Sequence, residues 1–496
     1  MIAIVVSRAD SASVHIGDRL LEIGDWTAHE DESRPDADGG GTYYRTDGFE
    51  LREFDDLHID LDDPAAAFTG PDEGTGPSTD AEPAFLAFVS RHAGETGRLL
   101  TAHVTGNFGP ATYGGEAQTL ARAAPGAEKR VVDALATHAP EGYEVGIECT
   151  HHGPTNTSVP SLFVELGSDE PQWTDADAAR AVARAVLDLE GTGADWHGAD
   201  GTAHAPDVPK ATDATDATDA TDVPNAPDAN PRHVVGFGGG HYAPRFTRIV
   251  RETEWAVGHV GADWALAEMG SPDANAEVIE QAFARSRADF AVIEGDEPTL
   301  AATVEELGHR VVSETWIRAV GDRPLALVER LEQDLATVEE GLRFGVVSPT
   351  GSGEDAIRVR ELPAALLSRA QGVDPEAARA AVEANAVAFD TEQAGTRAAD
   401  RAAFATDAAA PTYADLVDDL ADVLERGYDA VEVRDRAVVA KETAFDPTLA
   451  AERGIPEGPA FGRLAGGDSV EVDGETVAPA DVSRTQTDRF PISDDP

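Results

Sequence analysis

Cysteine is almost absent from the chain, and so is lysine. The 496 residues include one cysteine, Cys149, and only a handful of the 38 basic residues are lysines. A single cysteine excludes an internal disulfide and any zinc site built on paired cysteines, so a metal would have to be held by histidines and carboxylates. Long apolar runs are missing as well, since no stretch approaches the roughly 18 residues of a membrane-spanning helix. The first residues lack the pattern of a signal peptide, and we expect none.

Acidic side chains dominate what is present. The chain has 93 Asp and Glu against 38 Lys and Arg, a net charge of −55, and 41% of it is hydrophobic. Such acidity indicates either disorder or a fold adapted to molar salt, where a Debye length of about 3 Å largely screens self-repulsion. The apolar content favours the second interpretation. The composition resembles that of cytoplasmic proteins of halophilic archaea, so we expect a cytoplasmic location.

The negative charge is distributed unevenly. Residues 85–165 carry 5 basic and 8 acidic residues, a net charge of −3, whereas residues 1–84 and 345–496 carry −16 each. A polyanion could approach such a nearly neutral stretch. A buried core segment would also carry few charges, so both interpretations stay open.

Strand-like and helical segments alternate over residues 1–344. This alternation predicts an α/β domain with a mixed sheet. The strand candidates include residues 1–6, 84–89, 99–104, 143–147 and 161–168, and the helix candidates include 119–123, 128–136 and 174–189.

Two segments depart from this alternation. Residues 192–231 repeat Ala-Thr-Asp four times and predict a low-complexity insertion within the α/β domain. Residues 345–496 are rich in Ala, Asp and Glu and predict an acidic C-terminal α+β extension of unknown role. Within it, residues 470–477 are typical of a β-hairpin.

Histidines and glutamates gather at predicted strand ends. Histidine and carboxylate sites suit zinc, and a catalytic zinc keeps one position for water. The spacing matches no HExxH helix, so a metal-free site with one histidine as general base stays open, with Asn107 or Thr155 polarising the carbonyl. A triple glycine directly before His241 predicts either a tight turn or close approach of a ligand. The residues are His103, Glu148, His151, His152, Glu165, His241 and His259.

Four blocks of sequence resemble the signature blocks of the archaeal and plant D-aminoacyl-tRNA deacylases. They are TAHVTGNFG at 101–109, ECTHHGPT at 148–155, PSLFVELGS at 160–168 and GFGGGHYAPRF at 236–246. The segment FVSRH at 88–92 is also similar, and its His92 is either a further site residue or a core histidine. The blocks occur in family order within residues 1–330.

The resemblance implies an enzyme that hydrolyses the ester between a D-amino acid and the 3′ end of tRNA, which is a form of translation quality control. It implies a zinc cofactor, and a core similar to the peptidyl-tRNA hydrolase and nucleoside phosphorylase type. D-aminoacyl-tRNA is the expected partner. We expect a monomer that binds no membrane and needs no protein partner. We expect His103, His151, His152 and His241 as zinc ligands, and Glu148 or Glu165 as a ligand or as the base that activates water.

Two other functions fit the same residues. One is a metal-dependent hydrolase or nucleoside-processing enzyme that acts on a small substrate, and the other is a non-catalytic RNA-binding protein. Counterion release contributes little affinity for RNA in molar salt, and a charge of −55 opposes it further. Recognition of RNA would therefore depend on shape, on stacking and on the acylated 3′ end.

Overall fold

The computed structural model describes residues 1–68, 82–198, 231–351, 353, 355–472 and 474–492. These residues form two compact units, Met1–Asp322 and Arg323–Pro496. The border expected after residue 344 falls inside the second unit, because the strand Arg343–Phe344 pairs with Ala388–Glu392 of that unit. Most of the low-complexity insertion predicted at 192–231 lies outside the described residues.

The strands of the first unit build a large mixed sheet and a smaller parallel sheet. In chain order they are β1 (Ile2–Ser7), β2 (Thr27–Asp31), β3 (Gly41–Thr46), β4 (Phe49–Phe54), β5 (Phe85–Ala93), β6 (Leu99–His103), β7 (Gly106–Asn107), β8 (Thr119–Leu120), β9 (Glu144–Ile147), β10 (Ser161–Ser168), β11 (His233–Phe237), β12 (Ala256–Gly261), β13 (Phe290–Ile293) and β14 (Arg310–Val311).

The large sheet has the strand order β2-β3-β4-β1-β5-β10-β6-β9. The central strands β4, β1, β5 and β10 run parallel, and β6 is antiparallel to β10. The central strands β1 and β10 are buried along their whole length, as expected for strands covered on both faces. The prediction of an α/β domain with a mixed sheet is confirmed.

The smaller sheet has the order β12-β11-β13-β14, and all its pairs are parallel. The helices of the unit connect the strands of both sheets. They are α1 (Ser11–Ile23), α2 (Pro125–His138), α3 (Glu170–Trp173), α4 (Ala176–Leu187), α5 (Pro244–Glu252), α6 (Asp263–Met269), α7 (Ala276–Ser286), α8 (Pro298–Glu306) and α9 (Glu314–Val320).

Two local predictions are wrong. Residues 119–123 are not helical, because Thr119–Leu120 pairs antiparallel with Gly106–Asn107 as the short strand β8. The strand predicted at 84–89 continues to Ala93, since β5 remains paired with β10 as far as Ser168. The polar residues after position 89 interrupt the apolar pattern, but backbone pairing does not depend on that pattern.

A buried histidine at the start of β11 is held as a neutral ring. His233 donates from Nδ1 to the carbonyl oxygen of Ser286 at 2.7 Å, and its Nε2 accepts from the backbone N–H of Trp196 at 2.8 Å. Burial lowers the pKa of His233 to about 4. The contacts need the neutral imidazole, because a protonated ring has no nitrogen left to accept a hydrogen bond.

The second unit contains antiparallel sheets and helices around its own core. One sheet has the order β15-β17-β18-β16, another has the order β19-β20-β23, and β21 and β22 form the predicted hairpin. The elements are α10 (Leu325–Asp334), β15 (Arg343–Phe344), β16 (Ile357–Glu361), α11 (Ala364–Val373), α12 (Pro375–Asn385), β17 (Ala388–Glu392), β18 (Arg397–Ala405), α13 (Tyr413–Leu424), β19 (Ala430–Arg434), β20 (Ala437–Phe445), α14 (Pro447–Glu452), α15 (Pro459–Ala465), β21 (Val470–Val472), β22 (Glu475–Val477) and β23 (Ser483–Pro491). Among the helices of the described residues, none is long and apolar enough to cross a bilayer.

Candidate active site

Four neighbouring strands of the large sheet bring histidines and glutamates that were predicted from the sequence to one place. In the sheet β5, β10, β6 and β9 lie side by side, and Glu165 on β10 pairs with Ser90 on β5 and with Thr101 on β6. Side chains two residues apart share a face of a strand, so His92 and His103 lie on the same face as these partners. Glu148 follows directly after β9.

The triple glycine is a tight turn that carries His241 to this cluster. Gly238 and Gly239 have positive φ values of 92° and 81°, which glycine adopts without strain. A Cβ at Gly238 would lie 2.3 Å from the carbonyl oxygen of Glu294, so a side chain has no room there. After the turn, the carbonyl of His241 accepts from the backbone N–H of Cys149 at 2.8 Å.

Glu148 is buried and accepts hydrogen bonds from several directions. Its Oε2 lies 2.8 Å from His241 Nε2, and its Oε1 lies 3.1 Å from His92 Nδ1 and accepts from the Thr101 hydroxyl. Burial alone would raise the pKa of Glu148, but the hydrogen bonds from His241 and His92 hold it well below its usual range. Glu148 is therefore an ionised carboxylate inside the protein.

Glu165 is a second buried carboxylate, and His92 bridges the two. The Ser90 hydroxyl donates to Glu165 Oε1 at 3.1 Å, and His92 Nδ1 lies 3.5 Å from Oε2. Burial opposes ionisation, yet the neighbouring rings of His103 and His92 lower the pKa of Glu165 to about 2. Burial likewise opposes the charge on His92, and the two carboxylates outweigh it and raise its pKa to about 11.

The position of His92 is fixed by close packing. A Cβ at Gly167, which pairs with His92 across β10 and β5, would lie 2.6 Å from the His92 Cβ. A Cβ at Gly94 would lie 2.8 Å from His92 Nε2, and that nitrogen is 3.3 Å from the hydroxyl of Tyr242. Neither glycine can be replaced without moving the ring.

His103, His151 and His152 form a second part of the cluster. Their ring centroids lie 4.4 to 4.9 Å apart. Each Nδ1 is within 3.2 Å of a backbone carbonyl oxygen, that of Val104 for His103, Cys149 for His151 and Gly153 for His152. A carbonyl can only accept, so Nδ1 carries a hydrogen in each ring, and in a neutral ring Nε2 then presents its lone pair.

Local electrostatics agree with neutral rings at two of these positions. Burial and the neighbouring imidazoles lower the pKa of His151 well below its usual range and that of His152 to about 4. At His103 burial lowers the pKa, but the nearby carboxylates of Glu165 and Glu148 outweigh it and raise the pKa. The buried Nε2 of His103 makes no hydrogen bond to the described residues, and Glu165 Oε1 lies 3.4 Å from it. His152 also adopts a left-handed backbone conformation, with φ at 50°, which a side chain other than glycine rarely adopts.

The side chains of the cluster offer three groups of potential metal ligands among the described residues. In each group the ligand atoms lie within 4.8 Å of one another. The groups are His103, His151 and His152; Cys149, His151 and His241; and His92, Glu148 and Glu165.

Comparison with known proteins identifies the family. Residues 79–312 match the family model described as D-aminoacyl-tRNA deacylase. A D-aminoacyl-tRNA deacylase of Halorubrum lacusprofundi is 74% identical over 99% of this chain and 97% of its own length. Those of Natronomonas pharaonis and Haloarcula marismortui are 50% and 48% identical, over 99% of this chain and 100% of each relative. The chain belongs to the D-aminoacyl-tRNA deacylase family.

Membership of the D-aminoacyl-tRNA deacylase family confirms the resemblance seen in the sequence blocks, and these relatives come from halophilic archaea. A crystal structure of a conserved protein of unknown function is similar over 64% of this chain and 96% of its own, with 28% identity and a TM-score of 0.48.

The family blocks contribute unequally to the cluster. Both amide hydrogens of Asn107 are used by the carbonyls of Gly114 and Glu116, at 3.0 and 3.1 Å. The hydroxyl of Thr155 accepts from the backbone N–H of Glu116 at 3.0 Å. The two side chains thus hold residues 114–116 in place, and neither is among the partners of the buried glutamates that the structure describes.

His259 lies apart from the cluster, and other residues join it. His259 is a satisfied core histidine, with Nδ1 3.1 Å from the hydroxyl of Thr150 and Nε2 2.8 Å from the carbonyl of Ala121. His92 is a site residue, which the sequence left open. Sequence reasoning missed Cys149 and Tyr242 as parts of the site, although Cys149 directly follows Glu148 and Tyr242 directly follows His241.

Proposed function

We propose that this family member hydrolyses the ester between a D-amino acid and the 3′ end of tRNA, releasing the free D-amino acid and the tRNA. The observation that carries the proposal is the convergence of the family's histidines and glutamates in one cluster that is buried yet reaches the surface at His241. The names of the relatives over nearly the whole chain support the same reaction.

His103, His151 and His152 fit a zinc ion, which the family resemblance implies. Their Nδ1–H groups are held by backbone carbonyls, so their Nε2 atoms are free to bind a metal. The unpartnered, buried Nε2 of His103 is the strongest sign that a ligand belongs there. When bound, Zn²⁺ supplies Lewis acidity, which polarises an ester carbonyl and makes nearby water more acidic.

His241 and Glu148 are proposed to handle the proton. His241 was expected as a fourth ligand, but its Nε2 lies 2.8 Å from Glu148 and the opposite Nδ1 lies 3.5 Å from the Cys149 sulfur. With 30% of its side chain exposed, it can meet substrate. His241 accepts the proton that the attacking water loses and returns it to the ribose oxygen that leaves, while Glu148 orients the ring and stabilises its positive charge.

Glu165 is proposed to support the zinc ligands by its negative charge, because it lies beside His103 Nε2, the nitrogen that would bind the ion. It lies 3.4 Å from His103 and 3.5 Å from His92, and its exposed fraction is 3%. Substrate cannot reach so buried a carboxylate easily. Asn107 and Thr155 are proposed to order the loop at 114–116 beside the site instead of polarising the ester.

The test is deacylation of matched D- and L-tyrosyl-tRNA in molar KCl, with chelator and then with zinc restored. We expect selective loss of the D ester that stops with chelator and returns with zinc. His151→Ala should abolish turnover, whereas His138→Ala should not, because His138 pairs with Asp188 on the surface.

Other outcomes would redirect the proposal. Selective loss that is indifferent to chelator would keep the reaction and place its chemistry on His241 and Glu148 alone. Stability of both esters would contradict the proposed reaction and favour a small-ester hydrolase or an RNA-binding protein. The expected cytoplasmic location, the monomeric state and the similarity of the core to peptidyl-tRNA hydrolase stay predictions.

A further inference from the structure

The large exposed aromatic side chains of the described residues gather around the cluster. Among the residues that the structure describes, the large exposed aromatics are Tyr113, Tyr242 and Trp264, with exposed fractions of 68%, 37% and 43%. Leaving such rings in water forgoes the free energy of burying them. Exposed apolar groups that gather at one place on a protein mark a site of interaction.

Two of these rings contact the histidine that is open to solvent. The ring of Tyr242 lies 4.9 Å from that of His241, and its hydroxyl is tied to His92. Trp264, in the first turn of α6, lies 6.4 Å from His241 at an interplanar angle of 29°. Tyr113 adjoins the zinc-binding histidines, because its carbonyl accepts from the N–H of Gly153, the residue after His152.

The charges nearby do not favour binding through phosphates. The helix α5 begins two residues after Tyr242, and the two cations nearest its start, Arg245 and Arg248, both pair with Glu314. The whole chain carries −55, and molar salt removes most of the gain from counterion release. Stacking between a base and an aromatic ring needs no net charge, so it suits this protein better.

We propose that Tyr242 and Trp264, together with Tyr113, form a stacking rim for the unpaired bases at the 3′ end of the tRNA substrate. The inference rests on the proposed function, because it assigns the nucleotide part of the same substrate. The rim holds the last bases at the surface while the ester next to them reaches His241.

The test measures binding of a labelled single-stranded RNA with the tRNA 3′ sequence to the full-length protein, by fluorescence anisotropy in molar KCl. Trp264→Leu should weaken binding about ten-fold or more, as expected for the loss of one base–aromatic stack. Trp264→Phe, which keeps a ring, should retain most of the affinity. Val433→Ala is the matched control, since Val433 is 42% exposed in the second unit.

Tyr242 provides a second pair of variants in case Trp264→Leu fails to fold. Tyr242→Phe should bind RNA normally, and Tyr242→Leu should bind it about ten-fold more weakly. Wild-type affinity should change little with further salt. The stacking rim would be contradicted if both Leu variants bound RNA with wild-type affinity. It would also be contradicted if a Phe variant bound RNA as weakly as its Leu counterpart.

Kinetics separate this inference from the proposed reaction. With D-aminoacyl-tRNA as substrate, Trp264→Leu should raise KM about ten-fold, so that the loss falls mainly on KM. Turnover with an unchanged KM would overturn the rim and leave the reaction standing. If RNA affinity depended on the aromatic rings but the protein had no deacylase activity, the stacking rim would be supported and the proposed reaction would be contradicted.

Discussion

Replacing each of the two buried glutamates by glutamine should impair a different property of the protein. Glu148 contacts His241, the cluster histidine with a 30% exposed side chain, whereas Glu165 contacts His92 and His103, which are almost completely buried. Glu148→Gln should therefore reduce turnover, and Glu165→Gln should weaken metal binding. Both substitutions keep the size of the side chain and remove its charge.

The magnitude for Glu148→Gln follows from the donors around it. Oε1 faces His92 and Thr101, and Oε2 faces His241. If the glutamine oxygen faces His92 and Thr101, the amide NH₂ group faces His241 Nε2. The Nε2 atom must then accept a hydrogen bond instead of donating one, and the ring hydrogen moves to Nδ1. Losing an oriented base costs about 10²- to 10⁴-fold in kcat, or about 3 to 5 kcal/mol of barrier.

For Glu165→Gln the change falls on the partner of His103. Loss of a carboxylate that contacts a proposed metal ligand typically costs about 10- to 100-fold in metal affinity. Single-turnover deacylation at saturating zinc measures the first effect, and competition with a chromophoric chelator measures the second. The reasoning is refuted if Glu148→Gln retains more than about a tenth of the wild-type kcat, or if it loses zinc as readily as Glu165→Gln.

Three further predictions concern positions around the cluster. The pKa of His233 is about 4 in the folded protein and about 6.5 in the unfolded chain. Its contribution to the free energy of unfolding is therefore complete above pH 6.5 and falls by about 3 kcal/mol as the pH drops toward 4. His233→Gln should flatten this pH dependence, as measured by urea unfolding at several pH values. Gly167→Ala should displace His92, which should slow deacylation and lower the free energy of unfolding by about 1 to 3 kcal/mol. Unchanged kinetics would contradict the close packing. Asn107→Ala should remove two hydrogen bonds to the loop at 114–116, costing about 1 to 3 kcal/mol and raising its proteolytic sensitivity, with zinc content unchanged.

The family blocks were enough to predict which histidines and glutamates belong together. Residues 101–109 begin within β6, residues 160–168 contain β10, and residues 148–155 follow directly after β9. Because β10, β6 and β9 are neighbours in the sheet, the polar side chains of these blocks meet. His92 was left undecided because its role depends on the register of β5 against β10, which places it beside Gly167. No local pattern of β5 specifies that long-range pairing.

Asn107 and Thr155 show a different limit of sequence reasoning. Both residue types can polarise a carbonyl, and both stand inside family blocks. Their donors and acceptors are instead used by backbone groups at 114–116. A side chain's chemistry is readable from the sequence, but whether its hydrogen bonds are free is decided by the loop that folds against it.

Burial explains why the cluster needs its histidines as much as its glutamates. Most carboxylates of this chain can stay hydrated at the surface, but a buried carboxylate costs several kcal/mol unless donors surround it. Glu148 and Glu165 have exposed fractions of 1% and 3%, and His92 lies between them as a shared cation. Without that ring two like charges would face each other in the interior, and one of them would take up a proton. The positive charge of His92 thus keeps Glu148 ionised, and an ionised Glu148 accepts from His241 Nε2 at 2.8 Å, the contact that orients the ring in the proposed proton transfer.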